Sequence, residues 1–156
     1  MEKNNKFTII AGPCAIETKD QFFDTIRHIH NFTDIIRCGV WKARTSPNNF
    51  SGQGDKALTW IQQASKKFNT PVAIEVGTKH HVEIALKHNI NIFWIGARTT
   101  TNPFAIQEIA ETVKGLNTEI WIKNPIFPDL ELWFGAIERF KRNETQKIKV
   151  IHRGFF

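Results

Sequence analysis

Short apolar runs alternate with longer amphipathic windows along this chain. Phe7-Thr-Ile-Ile-Ala predicts a first strand, stopped by Gly12-Pro13. Thr18 precedes a window from Lys19 to His30 in which Phe22, Phe23, Ile26 and Ile29 share a helical face. Ile35-Ile36 opens a second strand, and Asp55 can cap a helix that reaches about Phe68 with Ala57, Leu58, Ile61 and Ala64 on one side. Pro71–Val76 is a third strand. Lys79 to His88 repeats the helical period through Val82, Ile84, Ala85 and Leu86 and leads into a fourth strand, Ile92–Ile95. Beyond Gly96-Ala97-Arg98-Thr99-Thr100, a helix opens at Asn102-Pro103, where proline suits the first turn. Ile120–Lys123 is a fifth strand, about Asp129 to Phe140 a fifth helix, and Ile148–Ile151 a sixth strand.

Strands that are short, apolar on both faces and separated by helices belong to a parallel sheet of βαβ units, an α/β fold. A doubly wound open sheet and a (β/α) barrel both fit this order. A dinucleotide-binding sheet wants a glycine-rich turn after its first strand, and Gly12-Pro13-Cys14 is not one. The polar residues separate the two further. Almost every strand ends in a charged or reactive group: Cys14, then Arg37 and Lys42, Glu75, Arg98, Lys123 and Arg153. In a (β/α)8 TIM barrel all those ends meet on one face. The expected fold is such a barrel, incomplete here at about six strands and five helices with the last two βα units missing, so that residues 1–156 are the N-terminal part of a single barrel domain.

The loop from Arg37 to Gly54 packs three cations, three hydroxyls and three glycines behind the second strand. Guanidinium and ammonium groups crowded in this way call for an anion, and carboxylates and phosphates are what such groups bind best. For any one of these residues, emergence into solvent at a strand end is the plain reading; their recurrence at the same phase of successive units is what points to a shared anionic ligand.

The 156 residues carry a net charge of +6, which brings nucleic acid into view. Much of that charge is scattered among helix lysines such as Lys66, Lys67, Lys87 and Lys141, without a basic stripe interleaved with aromatics, so no nucleic acid is expected as partner. A hydrophobic content of 41% fits a globular chain. No apolar run approaches the roughly 18 residues a membrane helix needs, and Met1-Glu-Lys-Asn-Asn-Lys lacks a signal-peptide core, so the reading is of a soluble, cytoplasmic protein with no membrane partner. In that compartment Cys14 and Cys38 are expected as thiol or thiolate rather than as a disulfide. The histidines His28, His30, His80, His81, His88 and His152 are read as surface or packing residues.

Ala11-Gly-Pro-Cys-Ala, Lys42-Ala-Arg-Thr-Ser, Ile95-Gly-Ala-Arg-Thr-Thr, Ile122-Lys-Asn-Pro and Ile151-His-Arg-Gly, in this order and spacing, resemble 3-deoxy-7-phosphoheptulonate (DAHP) synthase. The resemblance covers nearly the whole chain and is nearest to the compact type found fused to chorismate mutase. Each motif alone is modest, but five in register are specific.

The resemblance implies a transferase that condenses phosphoenolpyruvate with erythrose 4-phosphate on a (β/α)8 barrel, the first step of the shikimate pathway. It assigns phosphoenolpyruvate to Arg37, Lys42, Arg98, Lys123 and Arg153, with the backbone of Gly96 and Ala97 on the phosphate, and erythrose 4-phosphate to Arg44, Thr45 and Ser46. Lys42 would double as proton donor to the aldehyde oxygen, and Glu75 would be the second catalytic group. Cys14 matches a ligand of a divalent metal ion (Mn, Fe, Zn or similar), whose remaining ligands are expected beyond the C-terminus. A homo-oligomer in the longer protein, and a fused or separate chorismate mutase, are further implications. Two departures stand out: Ala43 replaces the family's usual proline, which loosens the loop, and the chain stops after its sixth strand. The expectation is a portion of a longer chain, binding phosphoenolpyruvate weakly and inactive as a synthase by itself. The alternatives are the related 3-deoxy-manno-octulosonate 8-phosphate synthase, whose loop reads Lys-Ala-Asn-Arg-Ser, and a non-catalytic remnant that docks a partner along its open strand edges.

Overall fold

A computed structural model describes residues 7–154. They contain six strands and six helices in the order β1 Ile10–Ala11, α1 Lys19–Ile29, β2 Ile35–Cys38, α2 Asp55–Phe68, β3 Val72–Val76, α3 Lys79–Lys87, β4 Ile92–Ile95, α4 Ala97–Thr100, α5 Pro103–Thr112, β5 Glu119–Lys123, α6 Leu130–Arg142 and β6 Lys147–Ile151. The strands form one sheet in the order β1-β2-β3-β4-β5-β6. Parallel pairing is seen at β1 with β2, β4 with β5 and β5 with β6. Strand order that follows chain order throughout is the barrel topology; a doubly wound sheet reverses its order part-way. The expected incomplete (β/α) barrel is therefore the fold found. Its sixth helix, absent from the sequence reading, is the single turn α4.

The chain divides within β3 into two compact units, residues 1–73 and 74–156. In the first, α1 and α2 pack together, and their inward faces are Phe22 and Ile26 on one and Ala57, Leu58, Ile61 and Ala64 on the other, all fully buried. The Thr18 hydroxyl caps α1 by accepting from the Gln21 N–H at 3.1 Å. The cap expected at Asp55 is corrected. Asp55 is the first helical residue, and Gly54, at φ +60° with no side-chain bond, is the cap. That position is set by loop closure, because the Gly54 N–H donates back to the Val40 carbonyl at 3.3 Å. Asp55 still contributes through its charge in the first turn, where the helix dipole favours an anion.

The first strand is shorter than Phe7–Ala11. The Asp34 carboxylate accepts the Ile9 N–H at 2.8 Å, taking the place of a backbone partner, so the β1 ladder starts at Ile10.

In the second unit α5 packs on α3 and α6. Thr78, Asn102 and Asp129 cap α3, α5 and α6 with side-chain oxygens, and Pro103 occupies the first turn of α5. The core is continuous through Phe93, Ile95, Ile106, Ile109, Ile120, Ile122 and Phe140. Full burial of a side chain such as Phe140 stabilises by about 1.5–3 kcal/mol.

At the start of β5, Glu119 accepts from the Trp121 indole and pairs with Lys149 at 2.6 Å. Burial alone would raise its pKa; the hydrogen bonds from Lys149 and Trp121, and the charges of Lys149 and Lys147, outweigh it and hold the carboxyl below the usual range. A carboxyl whose pKa is depressed on folding stabilises above its unfolded pKa, about 4.3, and loses that contribution as pH falls through the folded value. Thermal unfolding of the wild type and Glu119→Gln should accordingly differ at pH 6 and converge towards pH 3.

Candidate functional site

The first unit brings together three of the residues singled out in the sequence. Cys14 follows β1 and is exposed, and the Lys42 ammonium donates to its sulfur at 3.7 Å. The Arg37 guanidinium lies near enough to the same thiol to act on its titration. Close backbone approach makes this possible: a Cβ on Gly39 would collide with the Cys14 carbonyl, and one on Gly12 with the Arg37 carbonyl. Partial burial pushes the Cys14 thiol up, but the neighbouring cations Lys42 and Arg37 bring its pKa below the ordinary value. Cys38, fully buried on β2, is pushed up by burial and has no such role. Both cysteines are free thiols, as expected.

Lys42, Arg44, Thr45 and Ser46 lie on the loop between β2 and α2. The loop closes on itself: the Lys42 N–H donates to the Ser51 carbonyl at 2.8 Å, and the Arg44 Nε to the Phe50 carbonyl at 3.0 Å. The Gln53 amide ties its far end to the Glu17 carbonyl. Gly52, at φ +102°, sits where any Cβ would strike the Val40 carbonyl. Arg44 and Thr45 are exposed and Ser46 half-buried.

The second unit carries the other predicted residues at consecutive strand ends. Ile95 of β4 is in register with Ile122 of β5, and Lys123 with Ile151 of β6. Gly96, Lys123 and the segment reaching Arg153 therefore succeed one another across the sheet at about 4.8 Å per strand. Gly96 opens α4, which contains Ala97 and Arg98. The Glu75 carboxylate, at the end of β3, lies against Gly96 so closely that a Cβ there would force the Glu75 side chain to shift.

Two buried polar residues went unnoticed in the sequence. The Thr100 hydroxyl lies 2.8 Å from the Lys123 carbonyl and 3.1 Å from the Gly96 carbonyl. Asn124 is fully buried and bonded on both sides of its amide. Asn124 stood inside the motif Ile122-Lys-Asn-Pro, and its place directly after a strand-end lysine was the one available signal.

Among the described residues no group of three or more His, Cys, Asp or Glu side chains could hold a metal ion. Cys14 fits a metal as a single thiolate donor, and the described residues do not make up a full ligand set.

The chain matches the model of the DAHP synthetase I family over residues 2–155. It belongs to the DAHP synthetase I family. A curated relative, the phospho-2-dehydro-3-deoxyheptonate aldolase of Thermotoga maritima, is 27% identical over 152 residues, 97% of this chain and 44% of that protein. A 2-dehydro-3-deoxyphosphooctonate aldolase of Bartonella henselae is 31% identical over 86 residues, 50% of this chain and 31% of that protein. Among solved structures, the DAHP synthase of Thermotoga maritima superposes with a TM-score of 0.82 at 27% identity, covering 96% of this chain and 42% of that one. This DAHP synthetase I family chain thus spans less than half the length of these relatives, and the superposition agrees with an incomplete TIM barrel.

The charge around Cys14 gives a direct prediction. In the folded chain iodoacetamide should alkylate Cys14 and spare Cys38. The rate should titrate with a midpoint below that of the same cysteine in the unfolded chain, and Lys42→Met should move that midpoint upward. Equal labelling of both cysteines would contradict the geometry.

Proposed function

We propose that this chain is the phosphoenolpyruvate-binding portion of a 3-deoxy-7-phosphoheptulonate synthase, a transferase that joins phosphoenolpyruvate to erythrose 4-phosphate in the shikimate pathway. The observation that carries the reading is the succession of cations at neighbouring strand ends in a chain of this family. Phosphoenolpyruvate presents a carboxylate and a phosphate, and fixed Lys and Arg donors form charge-assisted hydrogen bonds with both. Arg98, Lys123 and Arg153 supply such donors in the second unit, with the backbone N–H groups of Gly96 and Ala97, while Arg37 and Lys42 supply them in the first. Arg44, Thr45 and Ser46 take the phosphate of the aldose. Lys42, as an ammonium beside the thiol of Cys14, is suited to hand a proton to the oxygen that becomes an alcohol, and Glu75 is the carboxylate placed beside the phosphate-binding turn at Gly96.

A divalent metal would supply Lewis-acid polarisation of the aldehyde when bound, with Cys14 as one ligand. The two compact units are read as parts of one barrel domain. A cytoplasmic site, self-association of the longer protein and a chorismate mutase partner belong to the same reading and rest on family resemblance alone. The octulosonate reading is weaker. Lys42-Ala43-Arg44-Thr45 departs from the loop of that enzyme, and octonate relatives match over 50% and 76% of this chain against 97% for the heptonate relative.

Calorimetric titration tests the proposal. Phosphoenolpyruvate should bind saturably and more tightly than pyruvate or inorganic phosphate, and Lys123→Met should weaken it by roughly tenfold to a hundredfold, the worth of a hydrogen bond to a charged group. Folded protein that binds neither phosphoenolpyruvate nor erythrose 4-phosphate would refute it.

A further inference from the structure

The end of β5 holds a buried amide with a specific set of partners. Asn124 has no solvent exposure. Its Nδ2 donates to the Pro125 carbonyl at 3.1 Å and to the Gly154 carbonyl at 3.1 Å. Its Oδ1 accepts the Arg153 N–H at 2.7 Å. The Asn124 backbone N–H, just past β5, donates to the carbonyl of Ile151, the last residue of β6, at 3.1 Å. Beyond Ile151 the paired register stops, and the Asn124 side chain bonds the backbone of residues 153 and 154. Gly154, at φ +81°, turns the chain so that its carbonyl faces that amide.

We propose that Asn124 is a positioning residue: by clamping the Arg153 N–H and the Gly154 carbonyl to the end of β5, it sets where the exposed Arg153 guanidinium starts from, two residues beyond the register partner of Lys123. The proposal deepens the reading of Arg153 and Lys123 as phosphoenolpyruvate-binding cations and rests on it. An arginine has a long, rotamer-rich side chain, so what the fold can fix is its Cα and the direction in which it leaves the backbone. Asn suits the task because its amide offers two donors and an acceptor in one plane. Neither aspartate nor leucine reproduces that set. A buried amide left with partners on only one side would carry the cost of an unsatisfied group, so the clamp forms as a whole.

Two measurements on the 156-residue chain test the clamp separately from the ligand reading. The first is a double-mutant cycle in phosphoenolpyruvate affinity with Asn124→Ala and Arg153→Ala. Asn124→Ala should weaken binding about tenfold, the worth of one well-formed hydrogen bond, and by less than twofold when Arg153 is already alanine. Equal losses in both backgrounds would overturn the proposal, since a merely structural residue acts on all the cations alike. The second is amide hydrogen exchange. Asn124→Ala should speed exchange at Arg153 by tenfold or more and leave Trp121 and Ile122 protected; unchanged protection at Arg153, or loss along all of β5, would overturn it. If the wild type fails to bind phosphoenolpyruvate, the ligand reading fails and exchange alone decides the clamp. Should Asn124→Ala not fold, Asn124→Asp keeps the acceptor and loses both donors. It should keep Arg153 protected and still weaken binding through Arg153, and loss of protection at Arg153 in that variant would count against the clamp.

Discussion

Charge held at the ends of apolar strands is the constraint on which the rest of this structure depends. A parallel strand buried on both faces has no room for a cation except where it ends, and like charges there are costly unless the backbone fixes them and an opposite charge is at hand. In the first unit Arg37 and Lys42 lie beside the thiol of Cys14, and their charge lowers its pKa. In the second unit the cations leave from the ends of β4, β5 and β6, and the backbone at those ends is pinned by Thr100 and Asn124 rather than by further ladder bonds.

Glycine and buried amide groups divide the labour of this pinning. Where two backbones must touch, as at Gly39 against the Cys14 carbonyl, the side chain is simply absent. Where two segments must stay a fixed distance apart, a polar side chain spans the gap. The loop that carries Lys42 uses both devices, with Gly52 against Val40 at one end and Gln53 reaching Glu17 at the other. Several of the loop's backbone groups are committed in this way.

Much of this was legible in the sequence. Short apolar runs and period-3.6 windows located all six strands and the five longer helices, and the buried faces of α2 at Ala57, Leu58, Ile61 and Ala64 fall where the pattern placed them. The failures have local causes. The turn α4 is too short to show a helical period. The cap of α2 moved to Gly54 because loop closure, not side-chain chemistry, sets that backbone. The first strand lost residues to the Asp34 carboxylate, a competitor that no periodicity reveals. The cations and Cys14 were legible because charge in an apolar context is conspicuous. Thr100 and Asn124 were not, since a neutral polar residue next to a strand end reads as loop until its partners are known.

The account stands on phosphoenolpyruvate meeting the strand-end cations. Its most direct test is chemical-shift mapping of the isotope-labelled chain during addition of phosphoenolpyruvate. The amides of Gly96, Ala97, Arg98, Lys123 and Arg153 should shift together along one binding curve. Shifts confined to the outer helices, with those strand ends unmoved, would contradict it.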